Sequence, residues 1–336
     1  MTATGTHPAA PIGPIARAVT RVLTPRVLFI VAVLAAVATW LMLLIGGAVN
    51  PTGSSLACKD WSFTWFFVPR CNGDSFPEMS GGVLYEHGHR LWGWLVGLFT
   101  TLVVIGSLAA PGLPKQTKWL AFGALLLVLL QGALGGITVL VGLSAAISTA
   151  HLVVGYACLA LMVFLAWRLV PARRHEPTTG STLPRGVILA ATALVLAQII
   201  LGGLLRHLGA NYVCGTDLLS CNDEGLFPAG GLRLMHMLHR AVGYAAMVVV
   251  LWAALRAWRT ARAHDRGRMG QLAWFAVGLT AVQVALGMVT VVMGSILPVV
   301  MFHTAIGGLL LTVLVALYIG FGPLGARLTP PTGLRA

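Results

Sequence analysis

Two stretches of this chain run without Asp, Glu, Lys or Arg for longer than any single membrane helix can use. Residues 119–167 make 49 such positions in a row and residues 269–326 make 58. A bilayer core about 30 Å thick takes about 20 helical residues at 1.5 Å each, so single helices of about 74 and 87 Å are excluded. Each stretch must fold back as a hairpin of two spans. The breaks are expected near residues 142–148 and at Gly294, Ser295 and Pro298. Apolar runs at 27–49, 91–110 and 186–205 supply one span each. The uncharged run 241–255 gives only about 23 Å of helix, so that span must reach back to about Leu234. This places His236, His239 and Arg240 inside the outer half of the membrane, where ionisable groups are costly and mark function.

The expected fold class is therefore an all-α membrane protein with eight transmembrane helices. Composition agrees: 57% of residues are hydrophobic and only 9% charged, against about 25% in soluble domains. A water-soluble enzyme and a disordered chain are both excluded. The net charge of +13 does not indicate nucleic acid, because the basic residues fall in short loops between apolar runs and form no continuous patch. With the N-terminus inside, 16 of the 22 Lys and Arg lie in inner segments and seven of the nine acidic residues lie outside, so both termini are expected to be cytoplasmic. The first span is too long for a signal-peptide core and lacks a convincing cleavage site.

The chain is internally duplicated. Glu86-His87-Gly88-His89-Arg90 aligns with His236-Met237-Leu238-His239-Arg240 at an offset of 150. Ala133-Leu134-Gly135-Gly136-Ile137-Thr138-Val139 aligns with Ala285-Leu286-Gly287-Met288-Val289-Thr290-Val291 at 152, and His151 matches His303 at the same offset. Gly46-Gly47 resembles Gly202-Gly203. The spans thus read as two pseudo-symmetric four-helix bundles, in parallel because each unit has an even number of spans. The division expected is 1–26 (tail), 27–170 (first half), 171–185 (linker), 186–322 (second half) and 323–336 (tail).

Four of the ten histidines repeat as pairs, His89 with His151 and His239 with His303. All four fall near the outer ends of their spans. Two imidazoles facing each other across a bundle are the arrangement for bis-His ligation of a heme. A lone membrane histidine is more often a packing residue bonded to a carbonyl; two pairs at one depth are not. Arg90 and Arg240 follow the first histidine of each pair. They can snorkel to headgroups or pair with heme propionates, and Arg206 is a third candidate. Glu86, one turn before His89, has His236 as its counterpart. That asymmetry points to one permanent electron-transfer heme and one site for a substrate. Glu86 could equally be a solvated residue at a helix start. Cys58 and Cys71 lie in the first outer loop and Cys214 and Cys221 in the third; one disulfide per loop is the simple expectation on the oxidising side. Cys158 reads as inert packing.

Together these features resemble the heme A synthase family over nearly the whole chain. The residues that carry the resemblance are Glu86-x-x-His89-Arg90, the Leu-Gly-Gly-Ile-Thr-Val run, His151, the Cys214 to Cys221 loop, His239-Arg240 and His303. The resemblance implies eight-helix membrane enzymes that oxidise the C8 methyl of heme O to a formyl group, making heme A for cytochrome oxidase. It implies heme b on His239 and His303, substrate near His89 and His151, a catalytic part for Glu86, and a part for Cys58 and Cys71 in activity. The chain departs from the family pattern at Asn50-Pro51-Thr52-Gly53-Ser54-Ser55, which lacks the usual basic residue and second glycine, and in an enlarged first loop rich in aromatics, residues 61–67.

Expected partners are heme O, heme O synthase, an electron acceptor and the lipid bilayer. Gly-rich helix faces permit close packing within or between chains, so a homo-oligomer stays open. The main alternative function is a transmembrane diheme b-type cytochrome that only transfers electrons. It explains the His pairs but not the Glu86/His236 asymmetry. A thiol–disulfide oxidoreductase using the loop cysteines is a further alternative. A transporter is disfavoured because the ionisable groups lie near one face rather than at the midplane.

Overall fold

The computed structural model describes residues 13–64, 66–170, 184–294 and 296–322, without the side chains of Ala16 and Asp223. The expectations for Ser295, Trp65, most of the linker and the C-terminal tail lie outside these residues. Among the described residues the chain forms a short helix α1 (Pro14–Val22) and eight long ones: α2 (Pro25–Val49), α3 (Gly81–Ala109), α4 (Lys115–Leu140), α5 (Ala145–Arg168), α6 (Arg185–His207), α7 (Gly231–Ala263), α8 (Gly267–Val292) and α9 (Leu297–Gly320). The eight from α2 to α9 are long and apolar enough to cross a membrane. No strand forms among the described residues, only two isolated bridges in the first outer loop, Phe63 with Pro69 and Cys71 with Asp74.

Local signals set the helix ends. Thr24 caps α2 by accepting from the Val27 N–H, and Pro25 opens its first turn. The first uncharged stretch breaks between Leu140 and Ala145, where Gly142 takes a φ of 75°. The second breaks between Val292 and Leu297, with Gly294 at φ 72° and Pro298 in the first turn of α9. Both glycines sit in the left-handed region that ends a helix and lets the chain turn back.

Two boundaries differ from expectation. The second span was expected from residue 91, but α3 starts at Gly81; the sixth was expected from about Leu234, but α7 starts at Gly231. The turns added to α3 carry Glu86, His87 and Arg90, all buried. Their polar atoms are satisfied or enclosed by the outer loops, so hydropathy stops where the helix does not.

Each helix pairing within α2–α5 has its counterpart within α6–α9: α2 on α3 as α6 on α7, α3 on α4 as α7 on α8, α4 on α5 as α8 on α9, and α2 on α5 as α6 on α9. That is the pattern a duplicated chain would produce. The halves meet along α2, α5, α6 and α9. There Trp40 Nε1 donates to the Ala305 carbonyl (3.1 Å) and the Tyr156 hydroxyl donates to Thr304 O (2.8 Å). Lipid is as apolar as the side chains, so close packing rather than water exclusion holds such helices together. The small residues Ala253, Ala257, Ala273 and Ala276 are fully buried between α7 and α8. The apolar core includes Leu159, Ile188, Val250, Leu314 and Leu317, while His89, His151, His239 and His303 lie in the N-terminal halves of α3, α5, α7 and α9.

Candidate functional site

Each of the four paired histidines lies against a glycine of the neighbouring helix. A Cβ on Gly46 would stand 2.8 Å from His89 Cε1, and one on Gly135 3.4 Å from His151 Cε1. In the second half a Cβ on Gly202 would stand 2.9 Å from His239 Cε1, and one on Gly287 3.2 Å from His303 Cε1. A second set of glycines faces longer side chains: Gly93 meets Met42, Gly243 meets Gln198, Gly155 meets Gln131 and Gly307 meets Gln283. The positions repeat between halves. Gly47 and Gly203, next to the first of these glycines, close the halves on each other; Cβ atoms there would come within 3.0 Å of Met301 and of Thr149.

His239 and His303 open into one cavity of about 610 Å³, lined also by Gly202, Gly243, Gly287, Gly307 and the two glutamines. Gln198 Nε2 lies 3.1 Å from His239 Nε2, and Gln283 Nε2 3.4 Å from His303 Nε2. The carboxamide oxygens of both glutamines and the Nδ1 atoms of both imidazoles are buried without a partner. Buried polar atoms are nearly always satisfied, so this concentration in one glycine-lined cavity calls for a ligand. Two imidazoles in a cavity lined by glycines fit a flat, metal-centred macrocycle. The glutamines escaped the sequence analysis, although Gln131 and Gln283 repeat at the 152-residue offset of the histidines. Gln131 instead donates to the His151 carbonyl (3.0 Å).

The three arginines are placed differently. Arg90 Nη1 donates to the carbonyls of Asp60 (2.7 Å) and Arg70 (2.9 Å), and Nη2 donates to Cys58 O (3.0 Å) and Glu86 Oε1 (2.6 Å). Glu86 Oε2 accepts from the Cys58 N–H (2.8 Å). Glu86 and Arg90 thus form a buried ion pair tied to the first outer loop, and Arg90 holds the loop rather than facing an open space. Arg240 Nη1 likewise donates to the carbonyls of Asp217 (2.5 Å) and Ser220 (2.8 Å), but its Nε and Nη2 are buried without partners and it lines the cavity. Arg206 also lines the cavity and donates across the halves to Gly47 O (2.6 Å).

Cys58 is bonded to Cys71 and Cys214 to Cys221, while Cys158 is free and buried. The two disulfides have unlike neighbours. A ring nitrogen of His87 lies within 4.8 Å of both sulfurs of the first. His87 is fully buried, with Nε2 3.0 Å from the Ser75 carbonyl. Met237 packs on the second disulfide. In the first loop, partial burial pulls the Asp60 carboxyl pKa up, but the Ser62 hydroxyl and the Asn72 and Gly73 amides outweigh it and hold the pKa below its usual value. The next residue, Trp61, lays its indole on Gly136, beside Gly135 and His151.

Residues 29–315 match the COX15-CtaA family model, described as cytochrome oxidase assembly protein. Curated relatives named heme A synthase include one from Halalkalibacterium halodurans, 28% identical over 86% of this chain and 95% of its own length. Another, from Rhizorhabdus wittichii, is 28% identical over 86% of this chain and 92% of its own. A third, from Symbiobacterium thermophilum, is 30% identical over 76% and 82%. With its histidine pairs and both disulfides inside the matched region, and eight helices long and apolar enough to cross a membrane, this chain belongs to the COX15-CtaA family of cytochrome oxidase assembly proteins.

Proposed function

We propose that this membrane protein is a heme A synthase that oxidises the C8 methyl of heme O to a formyl group. The glycine-lined cavity with its two imidazoles is the observation that carries this reading. His239 and His303 would hold heme b, and Arg240, with two free N–H groups, and Arg206 would meet its propionates. Heme b bound there supplies one-electron transfer between the substrate site and an outside acceptor.

Substrate heme O arrives laterally from the bilayer, to which its farnesyl tail is matched, after release by a heme O synthase. Its iron is taken by His89 and His151. Two successive hydroxylations, each taking its oxygen from water and giving up two electrons to the outside acceptor and two protons, turn the methyl into a gem-diol, which loses water to give the aldehyde. Glu86 stands one helical turn from His89, and its charge is held in place by Arg90 and the Cys58 amide. It handles protons or stabilises positive charge developing on the substrate. Both termini lie in the cytoplasm and the histidine pairs lie toward the outer face of the cell membrane. The half-sites divide as 27–170 for substrate and 186–322 for heme b.

The test is chromatography of hemes extracted from membranes that co-express this chain with a heme O synthase. Heme A, or the singly hydroxylated heme, is expected only when the chain is present. Heme B and heme O alone, with two unchanged b-type hemes on the purified chain, would instead establish an electron-transfer cytochrome.

A further inference from the structure

The first outer loop sends one side chain into the N-terminal half. Trp61 rests on the Gly136 backbone, so close that even a single Cβ on Gly136 would collide with the indole; its far edge approaches Gly135, the glycine that also seats His151. The Arg90 guanidinium lies 5.1 Å from the ring centroid, and Phe63 packs edge-on at 5.1 Å. The loop backbone around it is fixed independently. The Cys58–Cys71 disulfide closes it, Arg90 holds the Asp60 and Arg70 carbonyls, and Trp94 Nε1 donates to Phe66 O. The indole can therefore leave by rotating about its own side-chain bonds without the loop unfolding. The second half differs: Met288 stands where Gly136 would be, and its cysteines lie seven positions apart rather than thirteen.

We propose that Trp61 is the gating residue of the N-terminal site, an indole that fills the space beside His151 and must swing away before a tetrapyrrole can reach that imidazole. The inference rests on the reading of His89 and His151 as the substrate site. A planar macrocycle coordinated at His151 reaches the Gly135–Gly136 step, where the indole now lies. The resting contacts, an aromatic pair and a cation–π contact, are weak enough to be exchanged for contacts with the incoming ring. A Cβ at position 136 would collide with the indole where it rests, which ties the two positions together. The second half, without a gate, keeps what it binds; the first must admit substrate and release product.

The test uses the purified full-length protein carrying its C-terminal heme, with hemin as the added probe and the rate of bis-His spectral change as the readout. Wild type should take up one further equivalent, and His151→Ala should not. Trp61→Ala should bind and release that equivalent at least about fivefold faster, the change expected from losing an aromatic and a cation–π contact. Trp61→Phe should fall between. Gly136→Ala, which displaces the indole without removing it, should speed uptake in the same way, and the double variant should be no faster than Trp61→Ala alone. Rates within twofold of wild type in both Trp61→Phe and Gly136→Ala, or slower uptake in either, overturn the gate. Failure of wild type to bind a second equivalent, or binding unaffected by His151→Ala, overturns the substrate-site reading and the gate with it.

Discussion

Beside the disulfide of the N-terminal half stand a carboxylate and a fully buried imidazole, Glu86 and His87; Met237 packs on that of the C-terminal half, and His236 takes the sequence position of Glu86. The same exchange recurs deeper in each bundle. Met42 faces Gly93 in the first half, while Gln198 faces Gly243 in the second. Trp61 rests on Gly136 in the first, and Met288 occupies the equivalent place in the second. The iron-ligand candidates and their glycines are kept in both halves, and the groups around them are not. Holding a tetrapyrrole thus needs one plan, used twice. On the function proposed above, the difference in use follows from the first half alone having the Glu86 carboxylate and the Trp61 indole beside its histidines.

The sharpest break between the halves should come from their unique residues. Glu86→Ala should leave the retained heme b spectrum intact and lower formyl formation by about 10²-fold or more, the range for a lost proton-transfer group. His303→Ala should abolish the retained spectrum. Normal heme A output from the Glu86 variant, read by chromatography, would remove Glu86 from the chemistry.

Stability should divide the two arginines next. Arg90→Gln strands a buried Glu86 carboxylate, a change that costs roughly 3–5 kcal/mol. Arg240→Gln strands only loop carbonyls, which costs roughly 1–3 kcal/mol. Thermal unfolding of the purified variants should rank them in that order, and restoring neutrality with Glu86→Gln in the Arg90 variant should recover part of the loss.

A smaller effect is expected from the glycines. Gly287→Val should press on His303 and reduce retained heme by about tenfold, since overpacking costs about 1–3 kcal/mol. Gly135→Val should leave retained heme unchanged and slow only product formation. Heme-to-protein ratios check both. The smallest effect is pH-dependent. Asp60 has a lowered pKa in the folded loop, so its contribution is complete above the ordinary carboxylate range and lost as pH falls through the lowered value. Loop protection against proteolysis should therefore weaken at acid pH in wild type and be insensitive to acid in Asp60→Asn.

Hydropathy made the eight spans legible because lipid-facing surface is what hydropathy measures, and the repeat made the histidine pairs legible because duplication leaves a fixed offset. Neither signal reaches groups that are polar yet enclosed. Glu86 and Arg90 look like a helix start exposed to water until the outer loop covers them, which is why α3 extends ten residues beyond its expected end. Arg90 and Arg240 are alike in sequence, and only their partners separate a loop clamp from an arginine with N–H groups to offer. Trp61 could not be placed at all, since no local pattern records that a residue in a loop rests on a glycine 75 positions later.

The glycine-lined cavity has a further consequence for the life of the protein. Side chains that face an open cavity lack neighbours on that side, so the helices around His239 and His303 gain contacts when something flat fills it. A ligand bound only by the folded form adds RT ln(1 + [L]/Kd), about 2.7 kcal/mol at a hundredfold excess over Kd. Newly made chains short of heme would then be the ones that open first at the outer face and meet proteases there. The abundance of this protein in the membrane would then follow the supply of heme.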